Sequence, residues 1–120
     1  MLRVRHERTG KDVVERVEEA ADFVARGVGL LGRDALKPGT GLWIHPCKSI
    51  HTFGMRFAID AVFLDRRHRV VRVKADLRPW RVVPMVWRAS SVVELPAGRA
   101  AAVGISPGDQ LRFELRDRDL

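Results

Sequence analysis

Residues 58–64 read Ala58-Ile59-Asp60-Ala61-Val62-Phe63-Leu64, apolar at every position but one. A strand with one wet face alternates apolar and polar side chains, so an unbroken apolar run of this length predicts a central strand covered on both faces. Such a strand needs neighbours on either side and packing above and below it. The carboxylate inside it needs partners too, because an unpaired charge there is expensive.

The rest of the chain supplies the neighbours. Leu2-Arg3-Val4-Arg5 alternates and reads as a strand, and Thr9-Gly10-Lys11 reads as a tight turn. Val13, Val17, Ala20, Ala21 and Val24 fit one helix over 12–26, or a strand over 13–17 followed by a short helix over about 20–26. The turn signal and the Val13-Val14 pair favour the hairpin. Residues 69–75 alternate, with Val71, Val73 and Ala75 on one face and Arg72 and Lys74 on the other. Strands are also predicted at 91–95 and 110–115, and a short helix over 96–104 with Gly104 past its end. The charged tail 116–120 reads as frayed. The expected fold is mainly β (α+β): a compact antiparallel β-barrel or sandwich of about seven short strands, with one or two short helices.

At 120 residues the chain is expected to form a single domain, 1–120, large enough to fold without metal or disulfide staples. Its single cysteine excludes an intramolecular disulfide and fits a reducing compartment. There is no apolar leader and no run of membrane-spanning length, so a soluble, cytoplasmic, bacterial protein with no membrane partner is expected. The net charge of +7 is unevenly spread: residues 41–90 hold ten Lys and Arg against three Asp and Glu. That excess suggests an anionic small molecule or, less strongly, a nucleic acid. Against it stands a plain compositional reading. Of the 22 basic residues 18 are Arg, as a GC-rich genome would place on any solvated surface.

The chemistry-bearing residues concentrate in 43–56, Trp43-Ile44-His45-Pro46-Cys47-Lys48-Ser49-Ile50-His51-Thr52-Phe53-Gly54-Met55-Arg56. An extended segment would send Trp43, His45 and Cys47 to one side. His45, Cys47, His51 and Asp60 are acceptable ligands for zinc or a similar cation, although His-x-Cys-x-x-x-His is not a strong zinc spacing. Cys47 could alternatively be a nucleophile, activated by His51 or His45 with Asp60 orienting the imidazole and Lys48 and Arg56 favouring the thiolate. The structural reading makes Cys47 a small core residue and Met55 and Phe53 core. His51 and Thr52 then bond loop backbone, and Asp60 accepts from backbone N–H groups or pairs with Arg56 or His51. A binding reading gathers Trp43, His45, His51, Phe53, Met55, Asp60 and Trp80, with Trp87 nearby, into an apolar pocket with polar anchors.

Two further signals are weaker. Glu94 could cap the following helix or pair with Arg99. Gly108-Asp109 resembles a turn found in cradle-loop barrels. No phosphate-cradling loop or Gly-x-Ser-x-Gly elbow is present, and the residues leave the cofactor open.

Taken together, Gly29-Leu30-Leu31-Gly32-Arg33, Gly41-Leu42-Trp43 with Pro46-Cys47, and Ser49-Ile50-His51-Thr52-Phe53-Gly54-Met55 resemble the domain of unknown function 192 family of small bacterial and archaeal proteins. Ile59 to Asp65, Val93-Glu94-Leu95-Pro96-Ala97-Gly98 and Gly108-Asp109 extend the likeness over nearly the whole chain. The resemblance implies a small β-rich domain and no agreed activity. The preferred functional expectation is a non-catalytic small-ligand-binding or accessory domain with its pocket around 45–60. The alternatives are a small hydrolase, using Cys47, His51 and Asp60 or a metal, and a nucleic-acid binder. The last would use Arg66, Arg67, Arg69, Arg72, Lys74, Arg78, Arg81 and Arg88, with Trp80 or Trp87 stacking on bases.

Overall fold

The computed structural model describes residues 2–20 and 33–116. Nine strands run through them: β1 (Leu2–His6), β2 (Asp12–Ala20), β3 (Thr40–Ile44), β4 (Ile50–His51), β5 (Ile59–Leu64), β6 (Val70–Leu77), β7 (Val82–Val83), β8 (Ser91–Pro96) and β9 (Leu111–Leu115). A single described helix, α1 (Arg99–Val103), joins β8 to β9. Seven strands form one sheet in the order β6-β5-β8-β3-β2-β1-β9, and β4 pairs with β7 in a separate two-stranded ribbon. Only β2 and β3 run parallel; the other ladders are antiparallel. The sheet curls until its two outer strands touch at a bridge between Arg69 and Gln110, giving the barrel-like, mostly β architecture expected.

All six residues of β5 are buried, and alternation sends them to opposite faces. Ile59, Ala61 and Phe63 join Leu42, Ile44, Cys47, Ile50, Met55 and Val92 in one core cluster. Val62 and Leu64 join Val93, Leu95 and the helical residues Ala100 and Val103 in the other. The sheet thus has two dry faces, one roofed by the β4–β7 ribbon and its loops, the other by α1. At Gly41 a Cβ would stand 2.8 Å from the Glu94 carbonyl of β8, so only glycine lets these strands close.

The alternation expected over 69–75 fails at a bulge. Phe63 opposes Arg72 while Leu64 opposes Val70, leaving Val71 as the extra residue. Val71 therefore packs in the first cluster and Val73 in the second, and Ala75 is exposed. The second strand is longer than expected, reaching Ala20; the helix expected beyond it, and the glycines that follow, lie outside the described residues. Helix α1 is shorter than expected, because Pro96 still belongs to β8. Arg116, read as part of a frayed tail, is buried.

The β1–β2 turn is tied to the turn before β9 through His6, which is wholly buried. Its Nε2 donates to Asp109 Oδ2 at 2.7 Å, and its Nδ1 lies 2.7 Å from Thr9 Oγ1. Burial pushes the Asp109 carboxyl up. Hydrogen bonds from the Arg8 and His6 side chains and the Ser106 N–H, with the Arg8 charge, outweigh burial and hold it at about 2 instead of 3.8. His68 is also shifted: burial lowers it from 6.5, with Asp65 opposing and His45 assisting.

Both shifts make stability fall as pH falls. Below its ordinary value the unfolded His68 binds a proton that the folded ring resists; below the ordinary carboxylate value unfolded Asp109 does the same. Urea unfolding should therefore show a modest loss of midpoint below pH 6.5 and a second loss between pH 4 and 2. Asp109→Asn should abolish the second step; a variant that keeps it would show that other carboxylates cause it.

Candidate functional site

The ribbon is the part of the molecule where the sequence-flagged side chains come out into solvent. Ile50 opposes Val83 and His51 opposes Val82. Ile50 and Val83 point into the core, which turns His51 and the exposed Val82 outward. Phe53 lies beside His51, with ring centroids 5.1 Å apart, and stacks on Trp80 at 5.9 Å with planes 27° apart. Trp80 is 66% exposed and Phe53 45%. His51, Phe53 and Trp80 thus form a ladder of rings along the outer face of the ribbon, within the spacing at which aromatic side chains attract one another.

One buried residue builds this tip. Thr52 is wholly inaccessible. Its hydroxyl donates to the Arg78 carbonyl at 2.6 Å and accepts from the Arg81 N–H at 2.9 Å. Its backbone N–H donates to the Arg81 carbonyl, and its carbonyl accepts from Trp80 and Met55. The turn so fixed holds Trp80 at φ 64°, in the left-handed region that bulky side chains rarely occupy.

The other expected site residues lie elsewhere. Asp60 alternates with Ile59 and Ala61 and so faces α1, across the sheet from Cys47. It is wholly buried; Oδ1 accepts from the Asp76 N–H at 2.9 Å, and Oδ2 from Gly98 at 3.1 Å and Ala100 at 2.9 Å. Gly98, the N-cap residue of α1, has no side chain to offer, and Asp60 caps the helix from another strand. Cys47 does not share a side with Trp43 and His45. Beyond Pro46 it turns into the first core cluster, and its thiol donates to the Ser49 carbonyl at 3.0 Å. Trp43 and His45 do stay together, 4.1 Å apart; Trp43 stacks on Phe113 at 4.0 Å, and His45 Nε2 lies 3.3 Å from Glu19. Met55 is in the core.

No shared Cys47–His51–Asp60 assembly is formed, because the sheet stands between the thiol and the acid. Among the described residues no three His, Cys, Asp or Glu side chains are grouped to hold a metal ion, so His45, Cys47, His51 and Asp60 do not make a joint ligand set. Of the seven expected pocket residues, the structure brings His51, Phe53 and Trp80 together in one group and Trp43 and His45 in another.

The Arg99 guanidinium donates to the carbonyls of Asp12 at 2.6 Å and Val13 at 2.9 Å, locking α1 onto β2, while Glu94 is buried on β8 between Leu42 and Ala61. Arg66, Arg67 and Arg88 gather around Trp87, whereas Arg72 and Lys74 are exposed along β6 and Arg78 and Arg81 flank the tip. No described helix is long and apolar enough to cross a membrane.

A curled, mostly β half-barrel with a helix on one face and an aromatic ribbon on the other defines a small β-rich class of protein. The chain belongs to the DUF192 family, described as uncharacterized ACR, which it matches over residues 4–113. It is 35% identical over 104 residues to a UPF0127 protein of Pyrococcus abyssi, covering 82% of this chain and 86% of that one. A UPF0127 protein of Pyrococcus horikoshii is 35% identical over 103 residues, with 81% and 86% covered. Both relatives are archaeal. The fold is similar to the crystal structure of a protein of unknown function from Novosphingobium aromaticivorans, with a TM-score of 0.77 and 25% identity over 92% of this chain and 82% of that one.

Proposed function

We propose that the chain is a non-catalytic binding domain that takes a small anionic ligand bearing a planar ring on the outer face of the β4–β7 ribbon. One observation carries this reading: Trp80 is held in solvent, at a backbone angle unfavourable for a bulky residue, by a turn built on buried Thr52. A left-handed residue of this kind costs about 1–3 kcal/mol. A fold gains nothing from spending that on an exposed indole, whereas a fixed indole offers a ligand ring a ready surface.

Charge selects the ligand class. Residues 45–57 and 77–91, which make the ribbon and its loops, contain Lys48, Arg56, Arg78, Arg81 and Arg88 and no Asp or Glu. Arg78 has Asp76 at 3.8 Å, while among the described residues the Arg81 guanidinium has only the Trp80 carbonyl, at 3.5 Å. A carboxylate or phosphate attached to the stacked ring would meet Arg81.

Titration with phenyl phosphate, 2-naphthoate and benzoate, followed by tryptophan fluorescence and calorimetry, tests this. Binding of at least one is expected, with Trp80→Ala weakening it about tenfold, equivalent to ~1.4 kcal/mol, at unchanged thermal midpoint. Failure of all three to bind at millimolar concentration, or equal binding by Trp80→Ala, would overturn the assignment.

A further inference from the structure

A second aromatic surface lies apart from the ladder. The turn after β5 and the loop before β8 border a shallow, open depression of about 430 Å³ whose lining includes Trp87, Arg66, Arg67, Arg88 and Lys48. Trp87 is 79% exposed, more than any other large apolar side chain described. We propose that this depression binds one nucleotide unit of a single-stranded nucleic acid, its base stacked on Trp87 and its phosphate held by Arg66, Arg67 and Arg88.

Both walls are tied by hydrogen bonds. Lys48 Nζ donates to the carbonyls of Trp87 at 2.9 Å and Ala89 at 2.6 Å, Val86 donates to the Lys48 carbonyl, and Ser90 donates to Leu64. Opposite, Asp65 Oδ1 accepts from the N–H groups of Arg67 at 2.8 Å and Arg69 at 3.0 Å. The one acid in the lining is thus engaged by its own turn. The guanidinium groups of Arg66, Arg67 and Arg88 make no hydrogen bond or ion pair with any described residue. Three unengaged forks around a bare indole match what a nucleotide presents: a flat ring and an anion with paired oxygens.

An acidic peptide would use the charge and leave the indole uncovered. A bilayer surface would favour several exposed apolar side chains together, and the lining here offers Trp87 among four cations, with Ala89 buried. A duplex keeps its bases stacked on one another, so a single strand is the form that fits. The site shares no ring with the His51–Phe53–Trp80 ladder, and Lys48 and Arg88 are the cations common to the charge around both.

The test is fluorescence anisotropy with labelled dT12 and rU12, alongside a 12-base-pair duplex, uridine monophosphate and phosphatidylglycerol vesicles. Binding of a single strand is expected to be at least tenfold tighter than of the duplex. Trp87→Ala should weaken it about tenfold with the salt slope unchanged, and the Arg67→Ala/Arg88→Ala pair should make the slope shallower by one to two. Trp80→Ala should leave it within twofold. The dT12 and rU12 arms identify the strand preferred, and the monophosphate shows whether one unit suffices. Absence of oligonucleotide binding, equal duplex affinity, insensitivity to Trp87→Ala, or binding of vesicles alone would each overturn the proposal.

Discussion

Asp60→Ala is expected to destabilise the fold by about 3 kcal/mol or more, the cost of leaving several buried polar groups without a partner. One carboxylate serves three N–H groups on two elements: Asp76 at the end of β6, and Gly98 and Ala100 at the start of α1. Asp76 itself sits at φ 51°, so the carboxylate also holds a strained corner. No water can easily replace it, since the side chain is wholly inaccessible. Asp60→Asn keeps one acceptor oxygen but turns an amide donor towards other donors, and should fall between wild type and alanine. Urea unfolding followed by far-ultraviolet circular dichroism reads both variants: midpoints in the order wild type, Asn, Ala, at constant m-value, are expected. An Ala midpoint equal to wild type would mean the helix finds its cap elsewhere.

This residue also shows where sequence reading stops. The apolar run around Asp60 predicts a strand buried on both faces, and β5 is one. Alternation then separates Asp60 from Ile59 and Ala61, but says nothing of which element covers which face. Only the fold places α1 over the acid and Cys47 under the other side. The backbone-acceptor alternative for Asp60 needed no such knowledge, because a lone carboxylate in an apolar strand has few other ways to be satisfied.

The ribbon was hidden for a different reason. Its strands have two residues each, too few for any periodicity, and they pair across some thirty intervening residues. What could be read were its chemical types: His51, Phe53 and Trp80 in an otherwise ordinary composition, and Thr52 as a hydroxyl that bonds loop backbone. At Pro46 the alternation that would have kept Cys47 beside Trp43 ends, since β3 closes at Ile44. The bulge at Val71 inverts parity in the same way on β6. His6 gave no signal at all, because a histidine in an alternating, charged strand looks solvated until β9 is laid beside it.

Thr52→Val should separate the stability of the domain from the geometry of its tip. Valine keeps the branched shape and the burial, and removes only the hydroxyl that joins the Arg78 carbonyl to the Arg81 N–H. Two part-buried backbone groups then lose a partner, which costs about 1 kcal/mol, towards the lower end of the penalty for an unsatisfied group. The seven-stranded sheet does not depend on that bond, so the far-ultraviolet spectrum should be retained. The Pro79–Arg81 turn does depend on it, and Trp80 would relax from its left-handed angle. Hydrogen exchange at the Arg81 amide should accelerate at least tenfold, and ligand affinity at the ring ladder should fall as far as in Trp80→Ala. Oligonucleotide affinity at Trp87 should be preserved, because that loop is held by Lys48. Thr52→Ser restores the hydroxyl and should recover both the slow exchange and the affinity. If valine leaves exchange at Arg81 unchanged, the turn is held by its backbone bonds alone, and the argument that Thr52 presets the indole fails.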